Sequence, residues 1–449
     1  MALTLDTDTL NAALVLLIDP HEWRHRRVDS VHLEAGERGR WRASVDCTPP
    51  RAAAIPYGDD QVVIPLAFVE KGPMRDLNVA DDAGEPLPVL TSQENTGLAA
   101  GALLHLLAVE GVDVEARMPA LGDAVRLLVG GTGQMLDVEG LLHHGFLGET
   151  QVFDPRDLQQ ISDVTRTLMR TLAQNFILGV VMDGDCLDRR QLIKFSYFWH
   201  VDPTKSGQSR GRTWLAITLG SFGFQRSLIA LDVPHAGDAA SFHLEVHPPE
   251  GLSCRVELPP MRFLRQSRGF SDSSPTSVGH AYGAYHQAEL STNLTDDVDV
   301  IGEAALELYV SRRGSWLMTL LLSLFTFLFF LFGLWFDGAL YVLRGQGPSG
   351  GVDPSALLLT LPGVLVGLLV SAREHVLASV LLMPIRTAAV TCSALLLVAA
   401  ASLTFQLRDP FLVPLWNLGL GIAAVILLAL ALGAAIRGRR TRIAPRVYS

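Results

Sequence analysis

Lysine and cysteine are scarce in this sequence. Only three of its 36 basic residues are lysine, and the others are arginine. Its four cysteines lie far apart, whereas zinc knuckles and disulfide-rich scaffolds need closely spaced pairs. The sequence therefore predicts neither a cysteine metal site nor a disulfide framework, and it fits a reducing compartment best.

A secretion signal and a phosphate-binding loop are also missing. The N-terminal stretch AALVLLI has no basic residues before it and is followed by Asp19 and Pro20 instead of a cleavage site, so it predicts a short amphipathic helix. The stretch VGGTGQ lacks the Lys-Ser/Thr of a phosphate loop. We expect no cofactor.

Charge is divided unevenly along the chain. Residues 1–311 contain 42 acidic and 25 basic residues, whereas residues 312–449 contain 4 and 11. An acidic surface repels phosphate groups, which argues against a nucleic-acid partner and against attraction of this region to anionic lipids. The sequence predicts an acidic soluble part and a basic membrane part.

Long apolar runs are confined to the C-terminal third. Four segments reach the roughly 18 to 20 residues that cross ~30 Å of hydrocarbon. They are Trp316–Phe336, Ser355–Ala372, Thr387–Gln406 and Phe411–Ile436. In the first, Trp316 and Trp335 are spaced to reach both membrane interfaces. The sequence predicts an all-α, four-helix transmembrane bundle within residues 312–449.

The positions of the arginines predict the orientation of this bundle. With the soluble part in the cytoplasm, nine flanking arginines face the cytoplasm and two, Arg344 and Arg408, face outside. This bias is typical of plasma-membrane proteins. We expect a multi-pass protein with both termini in the cytoplasm.

A charged group follows the second apolar segment. Arg373, Glu374 and His375 lie together at the membrane edge, before an apolar stretch, Val376–Met383, that is too short to span and ends at Pro384. Charged residues at this depth can mark an ion or substrate path. The pattern favours a cytoplasmic elbow with an interfacial helix, and a re-entrant segment stays open.

The soluble part predicts an α+β fold in two regions. In residues 1–185, strand patterns precede a capping box, Thr91 with Glu94, that predicts a helix to about Val109. The strands include a hairpin around a Gly-Glu-Arg-Gly turn. Residues 186–311 contain successive strand patterns without helices, which predicts a β-sandwich-like module.

One strand pattern carries candidate metal ligands. In FHLEVHPP, the side chains of His243, Glu245 and His247 share one face. Two imidazoles and a carboxylate could ligate zinc or iron, but a polar solvent face has the same pattern. We favour the solvent face, because one strand spaces successive ligands about 7 Å apart.

The stretch ILGVVMDGDCLD ends an apolar run with Asp183, Asp185 and Asp188. Over fewer than ten residues it is similar to the opening motif of haloacid-dehalogenase-like phosphotransferases, which implies phosphotransfer roles for Asp183 and Asp185. That family has Thr where Leu187 stands, so a polar turn is favoured.

The stretch GPSGG around Ser349 matches a nucleophile elbow, but no strand precedes it.

Four stretches spread over most of the chain resemble actinobacterial membrane proteins of uncharacterised activity. They are LIDPHEWRHRRV, IPLAFVEKGPMRDLNVADDAGEPLPVLTSQEN, SFHLEVHPPEGL and LPGVLVGLLVSAREHVLASVLLMPIR. The arginine-rich composition fits the GC-rich genomes of that group. The resemblance implies a large soluble N-terminal part and a C-terminal helical bundle.

No set of residues converges on one chemistry, which favours a protein that is not an enzyme. The leading hypothesis is an integral plasma-membrane protein with a cytoplasmic domain that binds a protein partner or small ligand. A four-span bundle anchors this domain and relays a signal from it. A pore or transporter and a membrane-anchored hydrolase or phosphotransferase are the alternatives. The bilayer is an expected partner, nucleic acid is not, and a homo-oligomer stays open.

Overall fold

The computed structural model describes most of the soluble part and three long C-terminal helices. The described ranges are 5–34, 38–72, 75–118, 120–131, 138–200, 218–224, 227–232, 238–257, 281–286, 303–312, 314–335, 376–404 and 409–443.

The helices of the soluble part are α1 (Thr7–Ile18), α2 (Pro20–Trp23), α3 (Ser92–Val109), α4 (Val114–Arg117), α5 (Ala120–Gly130), α6 (Val138–His144), α7 (Pro155–Gln160) and α8 (Asp163–Gln174). The C-terminal helices are α9 (Ser315–Trp335), α10 (Val376–Thr404) and α11 (Asp409–Ile443).

The strands are β1 (Arg24–Leu33), β2 (Arg38–Cys47), β3 (Ile55–Tyr57), β4 (Gln61–Glu70), β5 (Arg75–Ala80), β6 (Phe146–Leu147), β7 (Thr150–Gln151), β8 (Asn175–Asp183), β9 (Gln191–His200), β10 (Ser227–Asp232), β11 (Ser241–His247), β12 (Leu252–Glu257), β13 (Ala281–His286) and β14 (Glu303–Val310).

The predicted helix starts are confirmed where a side chain caps the backbone. At α3, Thr91 N donates to Glu94 Oε2 at 2.9 Å and Glu94 N donates to Thr91 Oγ1 at 3.3 Å, which completes the capping box. At α1, Asp6 Oδ1 accepts from Thr9 N at 2.8 Å. These bonds satisfy N–H groups that a helix leaves free at its first turn.

Six strands form the largest sheet, in the order β13-β11-β1-β2-β9-β5. Neighbouring strands are antiparallel except β1 and β11, which run parallel with Val31 opposite Val246. The predicted hairpin is confirmed as β1 and β2. Two three-stranded sheets, β10-β14-β12 and β3-β4-β8, and the short pair β6-β7 complete the described strands.

The α+β class of the soluble part is confirmed, but the sandwich-like module of residues 186–311 is not. Strands β9, β11 and β13 join β1, β2 and β5 from residues 1–185, whereas β10, β12 and β14 form a separate sheet. The largest sheet therefore takes strands from both sides of the predicted boundary.

The core of the soluble part lies around the sheet β3-β4-β8. Residues 62–69 of β4 are all buried, so this strand is covered on both faces. Arg24, at the start of β1, donates from Nη2 to the carbonyl oxygen of Pro65 at 2.7 Å and joins the two sheets. Helices α3, α5 and α8 pack against β8. The soluble part is thus layered as sheet, sheet and helices.

Three described helices contain segments long and apolar enough to cross a membrane. The segments are Ser315–Trp335, Ala378–Ser402 and Phe411–Ile436. They correspond to the first, third and fourth predicted spans, and the second, Ser355–Ala372, lies outside the described residues. The structure therefore supports a membrane-anchored protein.

Helix α10 begins earlier than predicted. Val376–Met383 forms the first two turns of this 29-residue helix, which continues through Pro384. Proline has no N–H to donate to the carbonyl of Val380, but membrane helices tolerate the loss where neighbouring groups satisfy that carbonyl. The prediction of a separate interfacial helix was wrong because it took the proline as a helix end.

The core of the soluble part continues into the C-terminal helices. Trp316 of α9 is only 9% exposed and lies in this core. Leu382 of α10 and Leu430 of α11 belong to the same buried cluster as Leu252 and Val310 of the sheet β10-β14-β12. One hydrophobic core thus joins this sheet to one end of the bundle.

The order of side-chain contacts gives the directions of the three helices. Leu322 of α9 packs with Cys392 of α10, and further along Phe330 packs with Ala399, so α9 and α10 run parallel. Trp416, near the start of α11, meets Phe330 with ring centroids 5.1 Å apart. Since α11 reaches the sheet near its other end, it runs antiparallel to both.

Candidate functional site

Two arginines and two aspartates form a buried cluster on one side of the six-stranded sheet, and we call this side the inner face. Arg27 donates from Nε and Nη2 to both carboxylate oxygens of Asp29, at 2.8 and 3.2 Å. Asp238 Oδ2 lies 3.6 Å from Arg24 Nη1 and 3.6 Å from Arg27 Nη1. Because the two positive and two negative charges balance, this cluster has the character of a structural tie between β1 and the segment before β11.

Burial is the largest cause of the pKa shifts of Arg24, Cys47 and Tyr197 on this inner face. It lowers the pKa of Arg24 to about 10, against the attraction of Asp238. It raises the pKa of Cys47, on β2, to about 12 and also raises the pKa of Tyr197, on β9. Cys47 and Tyr197 are therefore uncharged at neutral pH, and neither suits the role of nucleophile or base.

We call the opposite side of the same sheet the outer face. It carries polar side chains in two adjacent rows. The first row is His247, His32 and Arg40, and the second is Glu245, Ser30 and Arg42, on β11, β1 and β2 in each case. Phe198 of β9 extends the first row beside Arg40. Strand pairing alone brings these residues together, because side chains in register share a face.

Two histidines occupy the middle of the outer face. The imidazoles of His32 and His247 stack with ring centroids 4.0 Å apart and planes inclined by 7°. Ser30 Oγ lies 3.1 Å from His32 Nε2, and Glu245 Oε2 lies 4.0 Å from His247 Nε2. Burial, together with His247 and the two arginines of the outer face, lowers the pKa of His32 to about 4. His32 is therefore neutral at physiological pH.

Among the described residues, no carboxylate lies within ion-pairing distance of the two arginines of the outer face, Arg40 and Arg42. The Arg40 guanidinium lies over the Phe198 ring, 5.0 Å from its centroid, and its buried Nε has no hydrogen-bond partner in the described part of the chain. The outer face is thus locally positive in an acidic soluble part.

The structure separates the predicted metal ligands. His243, Glu245 and His247 share the outer face, opposite the fully buried Phe242 and Leu244. His243 is itself buried, with Nε2 at 3.0 Å from Ser241 Oγ, so it does not lie on a solvent face. His247 lies four positions after His243, which is about 13 Å along a strand. No group of three candidate ligands converges within the described residues.

The aspartates of the phosphotransferase-like stretch are placed at the end of β8. Asp188 accepts from Arg51 N and Arg51 Nε at 2.9 and 3.3 Å, and Asp185 pairs with Arg189 at 3.4 Å. Asp183 ends the strand and is exposed. The strand itself pairs antiparallel with β4, and Asp185 and Asp188 do not converge with Asp183 on a shared partner.

The remaining sequence candidates lie outside the described residues. These are Arg373, Glu374 and His375 at the membrane edge and Ser349 of the elbow-like stretch. Their predicted roles stay predictions.

Sequence reasoning missed His32, Arg40 and Arg42. The alternation of the hairpin could have assigned the two arginines to one face of β2. His32, Arg40 and Arg42 lie close to His247 only because β1 pairs in parallel with β11, and these two strands are about 200 residues apart in the sequence. No local pattern carries that pairing.

Half-buried Lys71 also has a perturbed pKa. Burial lowers it to about 8. Its Nζ donates to the carbonyl oxygen of Leu128 at 2.6 Å, in the last turn of α5. An ammonium group satisfies helix carbonyls there, so a structural role accounts for this lysine.

No family model matches this chain, and no curated protein matches it. Among solved structures, one described as a "putative protease" from Parabacteroides distasonis is similar to it at a TM-score of 0.23 and 9% identity, over 84% of this chain. This chain spans 58% of the length of that structure. A TM-score this low supports neither a shared fold nor a shared activity.

Proposed function

We propose that this protein is a multi-pass plasma-membrane protein whose cytoplasmic domain binds a partner or ligand and transmits that binding to a four-span bundle. The observation that carries the proposal is the single hydrophobic core shared by the sheet β10-β14-β12 and one end of the bundle. A passive anchor needs only a span and a linker. A shared core instead makes the packing of the domain and that of the bundle depend on each other.

We call the region where the domain and the bundle share this core the joint. Close backbone contacts also hold the two together there. A Cβ at Gly433 of α11 would overlap the carbonyl oxygen of Phe222, and a Cβ at Gly223 would lie 2.9 Å from Gly433 O. Gly223 also has a φ of +92°, which favours glycine. Nearby, Arg312 donates from Nη2 to the carbonyl oxygen of Ala434 at 2.8 Å. The domain and α11 thus meet with no room for a side chain at Gly433.

The helix directions support four spans. Helices α9 and α10 both start at the joint, so the chain between Trp335 and Val376 has to return from the far end of the bundle. The predicted span Ser355–Ala372 lies in this interval and is long enough for the return. Helix α11 then reaches the joint at Leu430 and Gly433, in its C-terminal half. Both termini would lie on the side of the domain, which the arginine bias assigns to the cytoplasm.

Glycine substitutions in the full-length protein in lipid nanodiscs test the coupling. Gly433→Ala should increase hydrogen exchange of residues 218–224 and 303–310, because the methyl group forces α11 away from the domain. Gly421→Ala is the matched control, since a Cβ there has no neighbour within 4 Å. Exchange changes confined to α11 in Gly433→Ala would contradict the proposal.

Reporter fusions test the topology separately. Reporters after Ser449 and at the N-terminus should be cytoplasmic, and one inserted near Gly350 should be outside. Cleavage of the C-terminal tail by protease added to intact spheroplasts would contradict four spans.

A further inference from the structure

We propose that the outer face binds a phosphate group, held by Arg40 and Arg42 beside the His32–His247 pair. This inference rests on the proposed function, because it names the chemical class of ligand that the cytoplasmic domain would bind. The phosphate belongs either to a lipid head group or to a soluble phosphate ester.

The charges of Arg40 and Arg42 are not compensated within the described residues. Within the described residues, Arg24 and Arg27 on the inner face have aspartates within 4.0 Å, whereas Arg40 and Arg42 on the outer face have none. Arg42 is exposed and Arg40 is only partly buried, so an anion from solvent can reach both side chains.

The spacing of Arg40 and Arg42 on β2 suits an anion with several acceptor oxygens. Arg40 and Arg42 are two residues apart on β2, so their side chains emerge on one face about 7 Å from each other. Two guanidiniums can converge on one tetrahedral anion, since each presents paired N–H donors. A carboxylate has two oxygens and suits one guanidinium, whereas a phosphate has enough oxygens for both and for an imidazole. The number of donors therefore favours phosphate.

The protonation of His32 depends on the charges around it. His32 faces Ser30 on its own strand, Arg40 and Arg42 on β2, and His247 and Glu245 on β11. Burial, His247, Arg42 and Arg40 hold its pKa at about 4, so protonation adds charge to an already positive surface. A bound anion reverses that effect and raises the pKa of His32. Proton uptake would then strengthen the binding.

The position of the outer face relative to the bundle leaves both sources of phosphate accessible. Strand β11 ends at His247, and four residues later a Cβ at Gly251 would lie 3.2 Å from Leu382 Cδ1 of α10. Four residues reach at most ~14 Å. The row that contains His247, His32 and Arg40 is therefore at the end of the sheet nearest the bundle.

Binding to the full-length protein in nanodiscs tests the proposal. One arm titrates inorganic phosphate into protein held in phosphatidylcholine nanodiscs, by calorimetry at pH 6 and pH 8. The other arm measures by native mass spectrometry how many phosphatidylglycerol molecules remain bound after extraction from a mixed bilayer. Phosphate binding in the first arm indicates a soluble ester, and lipid retention in the second alone indicates a head group.

Charge-removing variants identify the site. Arg40→Gln or Arg42→Gln should weaken binding by about tenfold, and the double variant by roughly a hundredfold. Arg126→Gln removes the same charge from an exposed position on α5 and should leave binding unchanged. Phosphate itself loses a proton between pH 6 and pH 8, so the effect of His32 is read from the comparison of two proteins: the ratio of the affinity at pH 6 to that at pH 8 should be lower in His32→Gln than in the wild type.

Two outcomes would overturn the inference. One is binding that the double variant retains while its melting temperature matches the wild type, and the other is the absence of binding in both arms. Neither affects the exchange experiment on Gly433, so a failure here is distinguishable from a failure of the coupling between domain and bundle.

Discussion

Both faces of the six-stranded sheet carry arginine, but among the described residues only the arginines of the inner face have carboxylate partners. On the inner face, Arg24 and Arg27 are each 1% exposed and lie against Asp29 and Asp238. On the outer face, Arg42 is exposed and Arg40 rests on an aromatic ring. A charge removed from water needs a partner within the protein, whereas a charge near solvent can remain available to a ligand. Compensation, more than residue type, distinguishes a structural cluster from a binding surface.

The largest effect should come from breaking the inner cluster. Asp29→Asn leaves Arg27 without its bidentate partner, and loss of one member of a buried pair costs about 3–5 kcal/mol. Thermal unfolding of the full-length protein in detergent measures the change. Labelling of buried Cys47, whose pKa is about 12, reports local opening of this face. Asp46→Asn is the control, because its partner Arg190 is 74% exposed and such pairs contribute about 0–1 kcal/mol. Equal losses in both variants would contradict the comparison.

An apolar replacement should recover much of that loss. Buried ion pairs are often replaceable by packed hydrophobic residues at little cost, so Arg27→Met with Asp29→Leu should be more stable than Asp29→Asn alone. Thermal unfolding of the two variants in detergent compares their stabilities. A double variant that is no more stable than Asp29→Asn would mean that the cluster has a role beyond tying β1 in place.

The outer face should respond to pH through His32. An unfolded chain protonates this histidine near its ordinary pKa of 6.5, whereas the folded protein keeps it neutral down to about 4. Its contribution to stability is therefore complete above pH 6.5 and is lost as the pH falls towards 4. Melting temperatures between pH 4 and pH 7 should decline less steeply in His32→Gln than in the wild type. Parallel curves would show that His32 does not titrate in this way.

The smallest effect on stability should come from the arginines of the outer face. Arg42→Gln removes no ion pair among the described residues, so the free energy of unfolding should change by less than about 0.5 kcal/mol. Chemical denaturation of this variant measures the change in the absence of phosphate. A loss comparable to that of Asp29→Asn would make the outer face structural and remove its contrast with the inner face.

Local features of the fold were predictable from the sequence. The Thr91–Glu94 capping box marks the start of α3, and the alternation of Leu244, Glu245 and Val246 assigns β11 one buried face. Both depend on neighbours within a few residues, where spacing and side-chain chemistry decide the outcome. The same local reasoning failed at Pro384, because packing around α10 outweighs the helix-breaking preference of one proline.

The sequence by itself determined that an acidic α+β domain precedes helices of membrane-spanning length, because composition, hydropathy and period act over short distances. Only the tertiary structure decided that β1 lies beside β11, that His32 stacks on His247, and that Trp316 belongs to the core of the domain. These contacts join residues that are far apart in the chain. Their formation depends on which surfaces exclude water together, and no single segment of the sequence encodes that choice.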